Sequence, residues 1–154
     1  MKKAVIFDLD GTLLNSLEDL ASATNAALRK QGFPERTVEE VRQFVGNGVA
    51  LLIHRAVPAG TPEDIEQTCL ADFRSYYFDH MTEQTLPYPG IRSLLEALRR
   101  EGFLLAVVSN KFEKAAKELC RLYFGELLDL AVGDLPGYRK KPEHAKMAKL
   151  FYFR

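Results

Sequence analysis

Tryptophan is absent, cysteine occurs only twice, and charge of neither sign dominates, with 21 Lys plus Arg against 21 Asp plus Glu. Each shortage excludes something. Cys69 and Cys120 lie far apart within helical patterns, so a disulfide framework is not expected and both read as buried thiols. A formal charge of zero removes any chain-wide attraction to nucleic acid or anionic membrane, and only a local basic site remains open. No apolar stretch has the length needed to span a bilayer. The opening "MKK" is basic, but the apolar run behind it meets Asp8 too soon for a signal peptide, so a cytoplasmic address is expected. His54, His80 and His144 show no ligand spacing and read as structural or surface residues. No internal repeat or low-complexity tract is present. What remains is ordinarily globular, 47% apolar and 27% charged over 154 residues, enough to bury about two thirds of the unfolded surface.

The apolar pattern changes character twice along the chain. "AVIF" is short, partly β-branched and bounded by "DLDG", a buried strand followed by a loop. From Leu17 the apolar spacing turns helical (Leu20, Ala21, Thr24, Ala27, Leu28) and stops at "KQGFP". Thr37 with Glu40 has the capping-box spacing that opens a second helix. "VGNG" interrupts before "VALLIHRAV". Thr61 followed by Pro62 predicts another helix start, Thr61 as the cap and Pro62 at the first helical position. Ile65, Cys69, Phe73, Tyr76 and Tyr77 would share one face of that helix. Residues 16–82 therefore read as helices only, closed by "LPYPG".

Beyond it, Ile91, Leu94, Leu95 and Leu98 mark a helix ended by Gly102. "FLLAVVSN" is a continuous apolar run, the mark of a strand covered on both faces. Ala116, Leu119, Cys120 and Tyr123 mark a further helix, and "LLDLAV" a third strand. Strand alternating with helix predicts an α/β fold, a Rossmann-like parallel sheet of about three strands. The core is expected from residues 1–15 and 83–154, with an all-helical insert at 16–82.

Ligands of open parallel sheets bind beyond the carboxyl ends of the strands. Three polar clusters fall there: Asp8, Asp10, Gly11 and Thr12 after the first strand, Ser109 and Asn110 at the end of the second, and "RKKP" with Lys140 and Lys141 after the third. Paired carboxylates hold a hard cation. Hydroxyl, backbone N–H and ammonium groups neutralise phosphate oxygens. Alone, each cluster has an ordinary explanation: many loops contain an Asp-X-Asp, a strand-end serine caps turns, and "YRKKPEHAK" reads as a solvated basic loop. Their order along one chain is what favours a phosphoryl site.

In that order the motifs resemble the haloacid dehalogenase superfamily. "FDLDGTLLNS" is similar to its first motif, "VVSN" to its second and "KKP" to its third, and the helical insert sits where such enzymes carry a C1-type cap. "FDLDGTLLNSLEDLA", "FVGNGVALLIHRA", "YPGI" and "VVSNK" look most like phosphoglycolate phosphatases and their relatives. The resemblance implies Asp8 as nucleophile, Asp10 as general acid and base, and Mg²⁺ on the Asp8 carboxylate and the Asp10 backbone carbonyl. It implies Ser109, Gly11 and Asn110 around the phosphoryl oxygens of a small phosphorylated metabolite, with Lys141 neutralising charge. Lys141 is taken over Lys140 because it directly precedes Pro142. Asn15 stands where relatives often have Asp. "GNG" at 46–48 and Arg55 are candidates for the distal end of the substrate, against the plainer reading of "GNG" as a turn.

A fourth motif, an acidic pair after a later strand, is expected of this family and is not found. "VGD" at 132–134 precedes the lysine cluster, and the position four residues after Asp134 is Tyr138, so Asp134 reads as a loop residue. The chain therefore resembles a phosphatase that ends early. Its Mg²⁺ would be held more weakly, and "AVIF" would lie on an open sheet edge available for self-association. The alternatives are a non-catalytic domain binding phosphate or a partner, and a sugar-phosphate mutase of the same superfamily.

Overall fold

The structure, a computed structural model, describes residues 3–135. Contacts divide the chain into two compact units, Met1–Asn15 with Leu86–Arg154, and Ser16–Thr85.

The discontinuous unit is built on a parallel sheet. Strands β1 (Ala4–Phe7), β4 (Leu104–Phe112) and β5 (Leu130–Asp134) lie in the order β1-β4-β5, with Phe7 opposite Val107 and Ala106 opposite Leu130. β4 is the central strand, and its run Leu105, Ala106, Val107 and Val108 is buried, as a strand covered on both faces requires. Helix α5 (Ile91–Arg100) precedes β4 and α6 (Glu113–Phe124) follows it. The α6 residues Ala115, Ala116, Leu119, Cys120 and Phe124 are buried. The expected Rossmann-like rhythm of strand and helix is therefore present, in three strands.

Its details differ from the sequence pattern in three places. β4 does not stop at Asn110 but continues to Phe112. The third strand starts at Leu130, because Gly125–Leu127 form a 3₁₀ turn, and it runs through Asp134, which is paired with Phe112 and is no loop residue. On α5 only Leu95 is fully buried, while Leu94 is 44% exposed. Asp129 fixes where β5 begins: its carboxylate accepts from the Leu105 N–H (2.7 Å) and Arg99 Nη1 (2.7 Å), and its own N–H donates to the Leu105 carbonyl (2.8 Å). A small antiparallel pair, β2 (Leu14–Asn15) with β3 (Leu86–Pro87), was hidden in "LPYPG", where two prolines suggest only a break.

The second unit is all helical: α1 (Leu17–Lys30), α2 (Val38–Phe44), α3 (Val49–Ala56) and α4 (Glu63–His80). α1 packs on α4, with Leu20, Ala23, Ala27 and Leu28 of the one and Cys69, Phe73 and Tyr77 of the other buried. Asp72 of α4 accepts from Lys30 Nζ (2.7 Å) and Gln31 Nε2 (3.2 Å). The capping box at α2 forms as its spacing predicts, with the Thr37 N–H donating to Glu40 Oε2 (2.8 Å) and the Glu40 N–H to Thr37 Oγ1 (3.2 Å). The start of α4 corrects the sequence reading. Pro62 occupies the cap position, and the Thr61 hydroxyl donates to the Pro58 carbonyl (2.7 Å) instead of capping the helix.

A buried carboxylate closes this unit. Asp19, in the first turn of α1 and 3% exposed, accepts from the Gln84 N–H (3.0 and 3.1 Å to its two oxygens), the Thr85 N–H (2.9 Å) and the Thr85 hydroxyl (2.7 Å). The two ends of the helical segment are thereby tied to each other. No helix among the described residues is long and apolar enough to cross a membrane.

Candidate active site

The acids after β1 are spaced by the residue between them. Leu9 is fully buried, and its carbonyl accepts from the N–H groups of Thr12 (3.2 Å), Leu13 (2.9 Å) and Leu14 (3.0 Å). The chain thus curls around Leu9 as a plug, leaving Asp8 exposed and Asp10 half-buried on either side of it. The Asp8 carboxylate accepts from the Leu9 N–H (2.8 Å). Gly11 turns the loop with φ +74°, a left-handed conformation that side chains with a Cβ adopt at a cost, and its N–H donates to the Leu14 carbonyl (2.9 Å).

β4 supplies the opposite wall. Because β1 and β4 run parallel with Phe7 opposite Val107, Asp8, just after β1, and Ser109, within β4, lie toward the same end of the sheet. Ser109 is buried and its hydroxyl accepts from the Lys111 N–H (3.1 Å), while Asn110 is half-buried. The ladder with β5 is irregular here: Ser109, Asn110 and Lys111 lie between paired Val108 and Phe112, against Gly133 alone between Val132 and Asp134. Such a bulge re-aims side chains at the rim of a sheet. β5 can close on it only because residue 133 is glycine. A Cβ there would stand 2.5 Å from Glu113 Cα and 2.7 Å from the Lys111 carbonyl oxygen, while the Gly133 N–H donates to the Glu113 carboxylate.

The bulge delivers a residue that the sequence pattern did not single out. Lys111 enters the site with its side chain only 1% exposed, and its Nζ donates to both oxygens of Asp10, at 2.9 and 3.1 Å. The signal was in "VVSNK": a lysine closing an apolar run at the carboxyl end of a central strand has to find an anion. Beneath the pair, burial pushes the Cys120 thiol up to about 12; the Asp10 charge adds to the rise and Lys111 opposes it.

Asp8, Asp10 and Gly11 on the loop after β1, and Ser109 and Asn110 on the bulged stretch of β4, are therefore carried at one end of the sheet. Lys140 and Lys141 lie outside the described residues. "GNG" and Arg55 belong to the helical unit. Gly46, Asn47 and Gly48 all have positive φ, and Arg55 Nη1 donates to the Phe44 carbonyl (3.0 Å), so both shape the link between α2 and α3.

Comparison with known proteins adds the lineage. The profile of the haloacid dehalogenase-like hydrolases matches residues 5–151. A phosphoglycolate phosphatase of Aquifex aeolicus is 35% identical over 148 residues, 96% of this chain and 68% of that one. The phosphoglycolate phosphatase of Pseudomonas putida is 33% identical over 152 residues, again 96% of this chain but 56% of its own length. The crystal structure of a candidate phosphoglycolate phosphatase from Lactobacillus delbrueckii subsp. bulgaricus superposes with a TM-score of 0.88 at 34% identity, covering 97% of this chain and 72% of that one. The chain thus spans between about half and two thirds of the curated relatives it matches. With two acids following β1, a buried serine on β4 and this likeness together, the chain belongs to the haloacid dehalogenase-like hydrolase family, on its phosphoglycolate phosphatase-like side.

Proposed function

We propose that the chain is a phosphomonoester hydrolase of a small phosphorylated metabolite, working through an aspartyl-phosphate on Asp8. One observation carries the reading: two acids after β1 stand beside a buried serine on the adjacent parallel strand, at the sheet end where such folds bind ligands. Exposed Asp8 is the group that can reach phosphorus. Its carboxylate oxygen forms the new P–O bond as the ester P–O bond breaks, and Asp10 gives the departing alkoxide its proton. A water then attacks the aspartyl-phosphate, losing its proton to Asp10, and inorganic phosphate leaves with Asp8 restored. Ser109, the Gly11 and Asn110 backbone and Lys141 would hold the phosphoryl oxygens during both steps.

The oxygen donors suit Mg²⁺, which takes one or two carboxylates and keeps several waters. Asp8 and the Asp10 backbone carbonyl would hold it, and it would supply charge neutralisation at the phosphoryl oxygens. The helical unit Ser16–Thr85 would be a cap domain of the C1 type. The free, buried Cys69 and Cys120 suit a cytoplasmic protein. β1 has a strand partner on one side only among the described residues, which favours pairing with a second copy. Sedimentation velocity at tens of micromolar tests that, and a single monomeric species at every concentration refutes it.

Turnover of p-nitrophenyl phosphate and 2-phosphoglycolate, with and without Mg²⁺ and beside Asp8→Asn, tests the hydrolase. Mg²⁺-dependent hydrolysis lost in the variant is the expected result. A second reading, a domain that binds phosphate without turnover, is the other outcome of the same measurement. A folded chain no faster than Asp8→Asn that still binds inorganic phosphate would establish that reading instead.

A further inference from the structure

The Lys111–Asp10 pair has a bearing on cation binding that the hydrolase reading does not contain, although it takes the identity of the cation from that reading. Lys111 is fixed. Its side chain is 1% exposed, its backbone lies in the bulge, and β5 closes on that bulge through Gly133. An ammonium buried to this degree requires an anion at hydrogen-bond distance, and Asp10 supplies both oxygens. It cannot swing into solvent when another cation arrives.

We propose that Lys111 is the resident counter-cation of Asp10 and makes the site bind a divalent cation weakly on its own, and tightly only together with a phosphoryl anion. Two physical terms act in the same direction. A divalent ion on the Asp8 carboxylate and the Asp10 backbone is repelled by the fixed positive charge of Lys111, held against the Asp10 carboxylate. Turning the Asp10 carboxylate toward that ion would strip a buried ammonium of its partner. A phosphoryl group offsets both, since its negative charge faces the two cations at once. Lys111 is in this sense a positioning residue, acting through Asp10.

The test is direct titration of the purified chain with Mn²⁺, free ion read by electron paramagnetic resonance, with and without inorganic phosphate. Wild type, Lys111→Met and Lys111→Arg are compared. Lys111→Met is expected to bind Mn²⁺ about tenfold tighter without phosphate, the scale of a +1 charge acting on a +2 ion across several ångströms at water-like dielectric. Phosphate should then add less than it adds in wild type. Lys111→Arg keeps the charge and should stay within about twofold of wild type. Binding detectable only in Lys111→Met supports the proposal equally. Equal or weaker binding by Lys111→Met, or none by any form, overturns it.

Should Lys111→Met fail to fold, ¹⁵N-lysine spectra of the wild type read the same contact. A lysine ammonium protected from solvent exchange is expected, shifting as Mg²⁺ is added; no protected signal, or one indifferent to Mg²⁺, refutes the role. Phosphatase turnover is a separate measurement. Its absence would remove the hydrolase reading and leave the Mn²⁺ affinity ratio to stand or fall by itself.

Discussion

Asp19→Ala removes a charge that no catalytic step uses, and its cost can be worked out from the contacts. Three donors converge on the carboxylate: the Gln84 N–H, the Thr85 N–H and the Thr85 hydroxyl, at 2.7–3.1 Å. A buried donor left without an acceptor costs about 1–3 kcal/mol. The two Thr85 donors are buried and lose the full amount, whereas the Gln84 N–H is only partly buried and recovers some of it from water. The sum is on the order of 3–5 kcal/mol, a large fraction of the roughly 5–15 kcal/mol that holds a domain together. Loss of a negative charge in the first turn of α1 adds a few tenths more. Asp19→Asn keeps one acceptor oxygen but turns an NH₂ toward donors, so it should recover less than half of the loss. Urea unfolding followed by circular dichroism at 222 nm reads the difference as a shift in midpoint at constant m. An Asp19→Ala chain within about 0.5 kcal/mol of wild type would refute the reasoning, because the hydrogen bonds would then contribute nothing that solvent does not replace.

Other perturbations follow from the same geometry. Gly133→Ala places a methyl against backbone that cannot yield, 2.5 Å from Glu113 Cα, so β5 must back away from the bulge; a loss of about 1–3 kcal/mol in urea is expected, and an unchanged midpoint refutes the close approach. Leu9→Ala empties the plug around which residues 9–14 curl and should cost about 2–5 kcal/mol, together with faster hydrogen exchange at Thr12, Leu13 and Leu14. Protection of those amides equal to wild type would mean the loop does not depend on Leu9. Burial pushes the Cys69 thiol up to about 11 from 9.0, helped by Asp72 and Glu66, and Cys120 to about 12. Both thiols therefore keep their protons in the folded chain while the unfolded chain loses them above pH about 9. Stability is thus full below that pH and falls as pH rises toward the folded values. A urea midpoint that holds steady between about pH 8.5 and 10.5 contradicts this, as does reaction of either thiol with Ellman's reagent before unfolding.

What the sequence discloses here is what lies close along the chain. Asp8, Asp10 and Ser109 were legible because each follows an apolar run, and such runs are written in a few consecutive residues. The capping box was legible for the same reason, as four residues decide it. Lys111 was not, since its direction depends on a register irregularity set by Gly133, on another strand. Asp19 reads as an ordinary acid in a helix's first turn; its partners are 65 and 66 residues away. Thr61 misled because a cap-like dipeptide also suits a turn closed by the Pro58 carbonyl. Three strands and an inserted helical segment followed from apolar periodicity alone, while their end points depended on the 3₁₀ turn at Gly125–Leu127 and on Asp129.

The short ladder of β2 with β3 carries a consequence for dissection. Asn15 and Leu86, the residues at which the chain leaves and re-enters the sheet-bearing unit, are antiparallel partners. Antiparallel partners are what a two-residue turn joins. Topologically, then, the whole of Ser16–Thr85 occupies the place of a hairpin loop, grown from a site where an Asn-Gly could stand. A chain in which that dipeptide replaces the segment would keep its strand order, and the helical segment could be exchanged as a cassette without re-threading the sheet.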